Sequence, residues 1–562
     1  MHFPSQPAGL GRGLSEFRRN LTQTVYSDST RQKHLGAFYT PTVMADFLVN
    51  WSVREATDTV LDPSFGGLVF LHAAKERLAK LGSTEPSKQL FGVDVDDYAF
   101  AEARDFAASG ASLIQEDFLE LPSTDVRSQQ VTAVVGNPPY VRYQLYDGRK
   151  GKAIADAHGV KITRLASSWV PMLIHATDFV ETGGRLAQVL PAEMVHAQYA
   201  SDVMRFMCDS FARVEVVMFN EHVFPGAQEE VVLLLCDGKG EGPCESITVR
   251  SAANVEALDA DSADTTTIDA GAGHKLLAGL IDPDALAVYD EIRSSDAARY
   301  LRDLARVDIG AVTGANSFFV RRLDEVAHID PTLLRRAVSK ATHVPGARIA
   351  DEDFAQLDAR GAATQMIVID PQLSELPSGV DALIKSAEED GLHERYKCRI
   401  RSPWYSLPTS QVADAPPLLL TYMASDFPRL VSNEAGALNT NTVHGVRLHN
   451  GTDPRGLAAS FYTSLTLLSA ELVGRSYGGG VLKLEPTEAE KLVLARPSRE
   501  HSRFIDDVDR LLRSRQHAEL QTLVDQKVLI EDLGVAPADV AALRAAGDLL
   551  RNRRRSRSKR SN

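Results

Sequence analysis

The chain has 562 residues, of which 44% are hydrophobic and 24% charged, with a formal net charge of −14 at pH 7. That length calls for two or three domains, each able to bury a core, and the composition excludes collagen-like and wholly disordered chains. The acidic balance excludes a simple nucleic-acid coat, while leaving room for local basic surfaces.

The first helix is expected over Thr42 to Val53, where apolar residues at 43, 44, 47, 48 and 51 keep a helical period. A short strand follows and ends in Val60-Leu-Asp62-Pro63-Ser-Phe-Gly66-Gly67, before a helix-like run from Leu68 to Leu81. An acid and a glycine turn after the first strand of an α/β unit is how such folds receive a nucleoside. Leu90-Phe-Gly-Val-Asp94-Val-Asp96 is a second strand ending in acid, and Asp94 is placed to accept hydrogen bonds from ribose hydroxyls. Leu113-Ile-Gln-Glu-Asp117-Phe118 ends a third strand. The fourth, Val131-Thr-Ala-Val-Val-Gly136, runs into Asn137-Pro138-Pro139-Tyr140.

Two prolines leave that strand tip without backbone donors. The amide oxygen of Asn137 and the carbonyl of Pro138 can each accept one hydrogen from an amino group on a planar ring, and Tyr140 can stack on the ring. A single acidic strand end is more often a helix N-cap than a ligand contact. Four candidate groups at successive strand ends, where open α/β sheets bind ligands, are hard to explain that way.

A helix is expected over Trp169 to Val180, then Gly183-Gly184 and strands at Arg185–Leu190, Ala212–Phe219 and Glu230–Cys236. Seven strands with interleaved helices suit a mostly parallel sheet covered on both faces. The loop Glu221-His-Val-Phe224-Pro225-Gly226 carries an aromatic able to face the Asn137 tip. Residues 241–280, rich in Gly, Ser, Asp, Thr and Ala, read as an edge hairpin and linker. Residues 281–498 form a mixed α+β domain, and 499–562 a helical segment with a basic tail, Arg551 to Arg560, expected to be disordered. Arg395-Tyr-Lys397-Cys-Arg399-Ile-Arg401 alternates as a strand would, which puts its bases on one face for phosphate contact. The four cysteines, Cys208, Cys236, Cys244 and Cys398, show neither metal-ligand spacing nor a disulfide frame, so no metal is expected and a reducing compartment is. No segment approaches a membrane span, and no apolar run follows Arg18 and Arg19 as in a signal peptide.

The order Gly36-Ala-Phe38-Tyr-Thr40-Pro41, Asp62-Pro63, Asp94, Asp117-Phe118 and Asn137-Pro-Pro-Tyr140 resembles the DNA adenine-N6 methyltransferases, in the group whose cofactor motifs come first and whose target-recognition domain comes last. The resemblance covers residues 36–240. It extends more weakly through Val312-Thr-Gly314-Ala-Asn316, Asn433 to Thr442, and Tyr477-Gly-Gly-Gly480-Val-Leu-Lys483-Leu-Glu-Pro486, which are similar to the recognition half of restriction-system modification enzymes. It implies a Rossmann-like class I methyltransferase domain over 1–240 and a target-recognition domain over 281–498. It implies S-adenosylmethionine held by Phe38, Thr40, Asp62, Pro63, Gly66, Asp94, Asp117 and Phe118. Catalysis would fall to Asn137, Pro138 and Tyr140, with Phe224 closing the second side of a flipped adenine. The implied substrate is double-stranded DNA, contacted by Arg395, Lys397, Arg399, Arg401 and Lys483. The implied setting is a prokaryotic cytoplasm, at the nucleoid, with a separately encoded restriction endonuclease as partner.

One position departs from the family. Leu68 stands where a second glycine is common in the cofactor turn. Two other readings share these features. Methyltransferases of RNA, or of glutamine in release factors, carry Asn-Pro-Pro-Tyr but are much shorter. A DNA-binding specificity protein with an inactive methyltransferase half is allowed by Leu68, though the intact tetrapeptide weighs against it.

Overall fold

The structure is a computed structural model. It describes residues 40–556 except 124–129, 141–147, 163–165, 197–199, 220–230, 259–263, 271–274, 372, 374–375, 377–378, 450 and 478–479. Phe38 and Phe224 therefore lie outside the described residues. The chain divides into two units between Leu280 and Ile281.

The first unit is built on a nine-stranded sheet. Its strands are β1 (Val60–Asp62), β2 (Leu90–Asp94), β3 (Ser112–Gln115), β4 (Val131–Gly136), β5 (Val180–Pro191), β6 (Phe211–Phe219), β7 (Val231–Lys239), β8 (Ser246–Ala252) and β9 (Asp264–Asp269). Their order is β3-β2-β1-β4-β5-β7-β6-β8-β9. β3, β2, β1, β4 and β5 run parallel, and β7 inserts antiparallel between β5 and β6. The continuous apolar runs of β1 and β4 follow from burial on both faces, the usual state of parallel strands. The strand order turns back at β1 and β4, so Asp62 and Gly136 end neighbouring strands at a topological switch point.

The edge hairpin expected within residues 241–280 is present and belongs to the main sheet. β8 pairs parallel with β6, β9 closes that edge, and a 3₁₀ turn follows at Leu276–Leu280. The polar, Thr-rich composition that suggested a linker is that of a half-exposed edge.

Two local readings also shift. The first helix, α1 (Thr42–Ser52), buries Met44, Ala45, Leu48, Val49 and Ser52, one residue round from the expected face, and Val43 is exposed. Gly183 and Gly184 lie inside β5, not ahead of it. A Cβ on Gly184 would stand 2.8 Å from the Thr132 carbonyl, where the β4–β5 register shifts. The glycine pair thus builds a bulge, a use of glycine that sequence pattern alone does not separate from a loop.

The second unit holds four smaller sheets among its described residues. The largest joins Ala305–Ile309, His444–Leu448, Leu418–Leu420, Leu430–Asn433 and Arg348–Ile349. A three-stranded ribbon joins Met423–Ala424, Val481–Lys483 and Arg475–Tyr477. The C-terminal stretch is helical, as its periodicity predicts, and its last described helix is α2 (Pro537–Ser556). α2 packs on the buried helix Ser464–Val473. No single described helix is long and apolar enough to cross a membrane.

Candidate active site

Asn137 sits half-buried directly after β4. Its amide nitrogen donates to Thr40 Oγ1 at 3.1 Å, and its amide oxygen accepts from the Tyr140 hydroxyl at 2.6 Å. That hydroxyl also stands 3.1 Å from the Val189 carbonyl on β5. Both ends of the carboxamide are therefore held, and its orientation is fixed before any substrate arrives. The amide oxygen has two lone pairs, and Tyr140 occupies one of them. Ser64 Oγ donates to the Asn137 carbonyl at 3.2 Å, and Ser168 Oγ donates to the Pro139 carbonyl. These two serines pin the tetrapeptide backbone. Neither stood out in the sequence: Ser64 lies in the Asp62–Gly67 turn, and nothing local marks Ser168.

Asp62 is fully buried at the end of β1. Its Oδ1 accepts from the Ser64 amide at 3.1 Å, while Oδ2 has no partner among the described residues. Burial pushes its carboxyl up to about 8, the Ser64 amide opposes that, and the neighbouring Asp94 charge adds to it. A Cβ on Gly136 would stand 2.8 Å from Asp62 Oδ1, so only glycine lets β4 pass this carboxylate. Asp94, at the end of β2, accepts from the Gly66 amide at 2.9 Å and the Asp96 amide at 2.9 Å. Burial raises its carboxyl too, against the pull of those amides. Asp62, Asp94 and Asn137 thus close on one corner of the sheet. Gln188, paired with Gly136 across β4–β5, is fully buried with both amide atoms unpartnered, a feature no sequence signal announces.

Residues 25–257 match the N-6 DNA methylase family, and residues 273–529 match the C-terminal domain of the type II methyltransferase M.Eco57I. The first unit therefore carries a domain of the N-6 DNA methylase family. The chain is similar to the type II methyltransferase M.XamI of Xanthomonas campestris pv. amaranthicola, 25% identical over 82% of this chain and 85% of the relative. It is also similar to M.AccI of Acinetobacter calcoaceticus, 21% identical over 84% and 88%. Among solved structures, the type IIL restriction-modification enzyme MmeI in complex with DNA matches with a TM-score of 0.56 over 94% of this chain and 80% of that one. At 13% identity that match speaks to fold alone.

In this methylase domain, Leu68 takes φ +64 as the residue before the helix Val69–Leu81. The left-handed backbone that glycine would supply is present, carried by leucine at a cost of about 1–2 kcal/mol. The side chain compensates, because it is buried in the core beneath the turn. A cavity left by a deleted buried leucine costs about 2–5 kcal/mol, so packing outweighs the strain. Leu68→Gly and Leu68→Ala should both destabilise. The glycine variant should be the milder by about 1–2 kcal/mol, because only it escapes the strain. Urea denaturation of the two variants checks the order, and an alanine variant at least as stable as the glycine one would contradict it.

The remaining expected cofactor residues are placed as follows. Pro63 is buried beside Gly136, and Gly66 lies exposed in the turn with φ +42. Asp117 caps the short turn Phe118–Glu120 through the Leu119 amide at 3.2 Å. Phe118 is buried in an aromatic cluster with His175 and Phe179, at ring distances of 5.0 and 4.8 Å. Among the described residues, no group of His, Cys, Asp or Glu is arranged to hold a metal.

The expected strand over Arg395–Arg401 is instead a helical turn, Tyr396–Arg399. The Arg395 carbonyl accepts from the amides of Cys398 and Arg399, so the backbone bonds close locally and not across a sheet. Period-2 alternation of polar and apolar residues over so short a span fits either element. The bases consequently do not share a strand face. Arg401 turns inward over the Phe319 ring and donates to the Val312 and Thr313 carbonyls, the second at 2.8 Å. Arg395, Lys397 and Arg399 remain exposed. Lys483 lies in the three-stranded ribbon, 2.7 Å from Glu485.

Proposed function

We propose that this protein transfers a methyl group from S-adenosylmethionine to the exocyclic amine of an adenine flipped out of duplex DNA. The observation that carries the reading is the carboxamide of Asn137, locked by Thr40 and Tyr140 at the corner where Asp62 and Asp94 end their strands. The residues present fit the cofactor. Asp62 offers a buried, unpartnered oxygen to a cationic amino end, and Asp94 closes β2 where a ribose diol would be met. When bound, the cofactor supplies a methyl group on a sulfonium, an electrophile.

The protein's own part is positioning. A base in a duplex cannot reach this corner, so it must leave the stack at a cost of a few kcal/mol. Stacking on Tyr140, and on Phe224 from the opposite side, would return about 1–3 kcal/mol per contact. The adenine amine is a poor nucleophile because its lone pair is delocalised into the ring. The Asn137 amide oxygen and the Pro138 carbonyl would each accept one amine hydrogen. This draws the nitrogen toward tetrahedral geometry and localises its pair for attack. Because Tyr140 and Thr40 have already oriented the carboxamide, little reorganisation remains at the moment of reaction.

The second unit would read sequence. Arg395, Lys397 and Arg399 suit phosphate contact, which positions DNA without reading it. The ribbon carrying Lys483 suits base-edge contact in a groove. Arg401 is committed to the Val312–Thr313 carbonyls, so its role would be to hold that element rather than to touch DNA. The M.XamI and M.AccI likenesses support a type II methyltransferase; its setting would be the cytoplasm of a prokaryote, on chromosomal DNA, beside a separately encoded endonuclease. DNA from cells expressing the protein, sequenced with modified bases called, should show N6-methyladenine at one short motif. Modified cytosine, or no modification, would overturn the reading.

A further inference from the structure

The C-terminal run from Arg551 has the composition of a solvated basic tail, yet the helix continues through Ser556 and Arg554 is buried at 5% exposure. Its guanidinium uses all five of its N–H groups. Nε and Nη2 form a two-pronged bond to Glu471, at 3.0 and 2.6 Å, and Glu471 is itself buried. Nη1 donates to the Ser425 carbonyl at 3.1 Å and to the Gly480 carbonyl, and Nη2 donates to the Asp426 carbonyl at 2.9 Å. Next to it, Arg555 pairs with the Asp426 carboxylate at 2.5 Å.

Those three carbonyls are not scattered. Gly480 is the turn of the hairpin between Arg475–Tyr477 and Val481–Lys483, and Ser425–Asp426 follows the third strand of the same ribbon. One side chain therefore ties the turn end of the ribbon to the last helix, reaching the hairpin turn and the segment after the third strand together. Gly480 takes φ +67, the left-handed backbone that favours glycine, and its carbonyl meets the Arg554 guanidinium. The flanks of the ribbon are braced separately, by Arg475 on the buried Glu488 and Lys483 on Glu485.

We propose that Arg554 is a positioning residue for DNA recognition: by fixing the Gly480 turn and the Ser425–Asp426 segment, it sets the geometry in which the ribbon meets the bases. The proposal rests on the ribbon's reading of DNA given above. It makes the C-terminal helix part of the specificity apparatus and not a stabilising appendage.

The test uses the full-length protein and the modified motif found by sequencing. Arg554→Met with Glu471→Leu removes the charge pair together, which spares the fold the cost of an unpaired buried charge. Arg554→Lys keeps the charge but cannot reach five acceptors. Methyl transfer is measured on the cognate duplex and on duplexes with one base pair changed. Both variants should lose at least 10-fold in discrimination and raise the KM for DNA, while S-adenosylmethionine affinity stays within 2-fold and the helical circular dichroism is unchanged. Lys483→Ala is the control for the ribbon itself. If Lys483→Ala alters discrimination and the folded double variant does not, Arg554 is only structural and the proposal fails. If neither alters it, the ribbon does not read DNA, and the proposal falls with that premise while methyl transfer itself stands.

Discussion

Asn137→Ala is expected to reduce methyl transfer by about 10²–10³-fold, the scale seen when one preorganised hydrogen-bonding group is removed from a reacting centre. The loss should fall on kcat. The side chain is hydrogen-bonded to Thr40 and Tyr140 at the tip of β4, so S-adenosylmethionine affinity should change only slightly. Tyr140→Phe should show a smaller loss of the same kind, because it keeps the ring but frees the carboxamide oxygen to turn. Single-turnover assays on a saturating duplex separate these effects from binding. A loss in KM alone, with kcat intact, would mean that Asn137 binds substrate without acting on the amine.

Asp94→Ala should weaken S-adenosylmethionine binding by about 1.5–3 kcal/mol, the value of a hydrogen bond to a charged group, or about 10–150-fold. Part of that loss comes from the Gly66 turn, whose amide Asp94 holds. Asp62 gives the same corner a pH dependence whose sign can be stated. With its carboxyl raised to about 8, the free protein carries a proton on Asp62 at pH 6. A cationic amino group beside it favours the carboxylate, so binding at pH 6 should expel about one proton. Affinity should rise as the pH approaches 8. Calorimetry in buffers of different ionisation enthalpy measures this directly. In Asp94→Ala the release should shrink, because the charge that helps to raise Asp62 is gone. Binding without proton exchange in the wild-type protein would show that Asp62 does not face the amino end.

The strand ends were legible because each couples a local pattern to a local need. An apolar run ending in Asp62, Asp94 or Asn137 marks both a buried strand and the polar group at its tip. What stayed illegible depends on partners far away in the chain. Ser168 finds the Pro139 carbonyl, Arg401 finds the Val312 and Thr313 carbonyls, and Arg554 finds Glu471 across 83 residues. A basic residue that ends up in such a clamp has the same sequence neighbourhood as one in solvent. That is why the run at Arg395 read as a strand and the run at Arg551 as a tail. Leu68 shows the converse. Its left-handed backbone is what the family's glycine predicts, but only the buried side chain explains how leucine can hold it.

The central claim is that the Asn137 corner methylates the N6 amine of adenine in DNA. The most direct test incubates purified protein with S-adenosylmethionine and duplex DNA carrying the motif, then digests the DNA and resolves its nucleosides by mass spectrometry. The account predicts N6-methyl-2′-deoxyadenosine as the modified nucleoside, and its absence with Asn137→Ala. N4-methyl-2′-deoxycytidine, or equal N6-methyl-2′-deoxyadenosine from the Asn137→Ala protein, would contradict it.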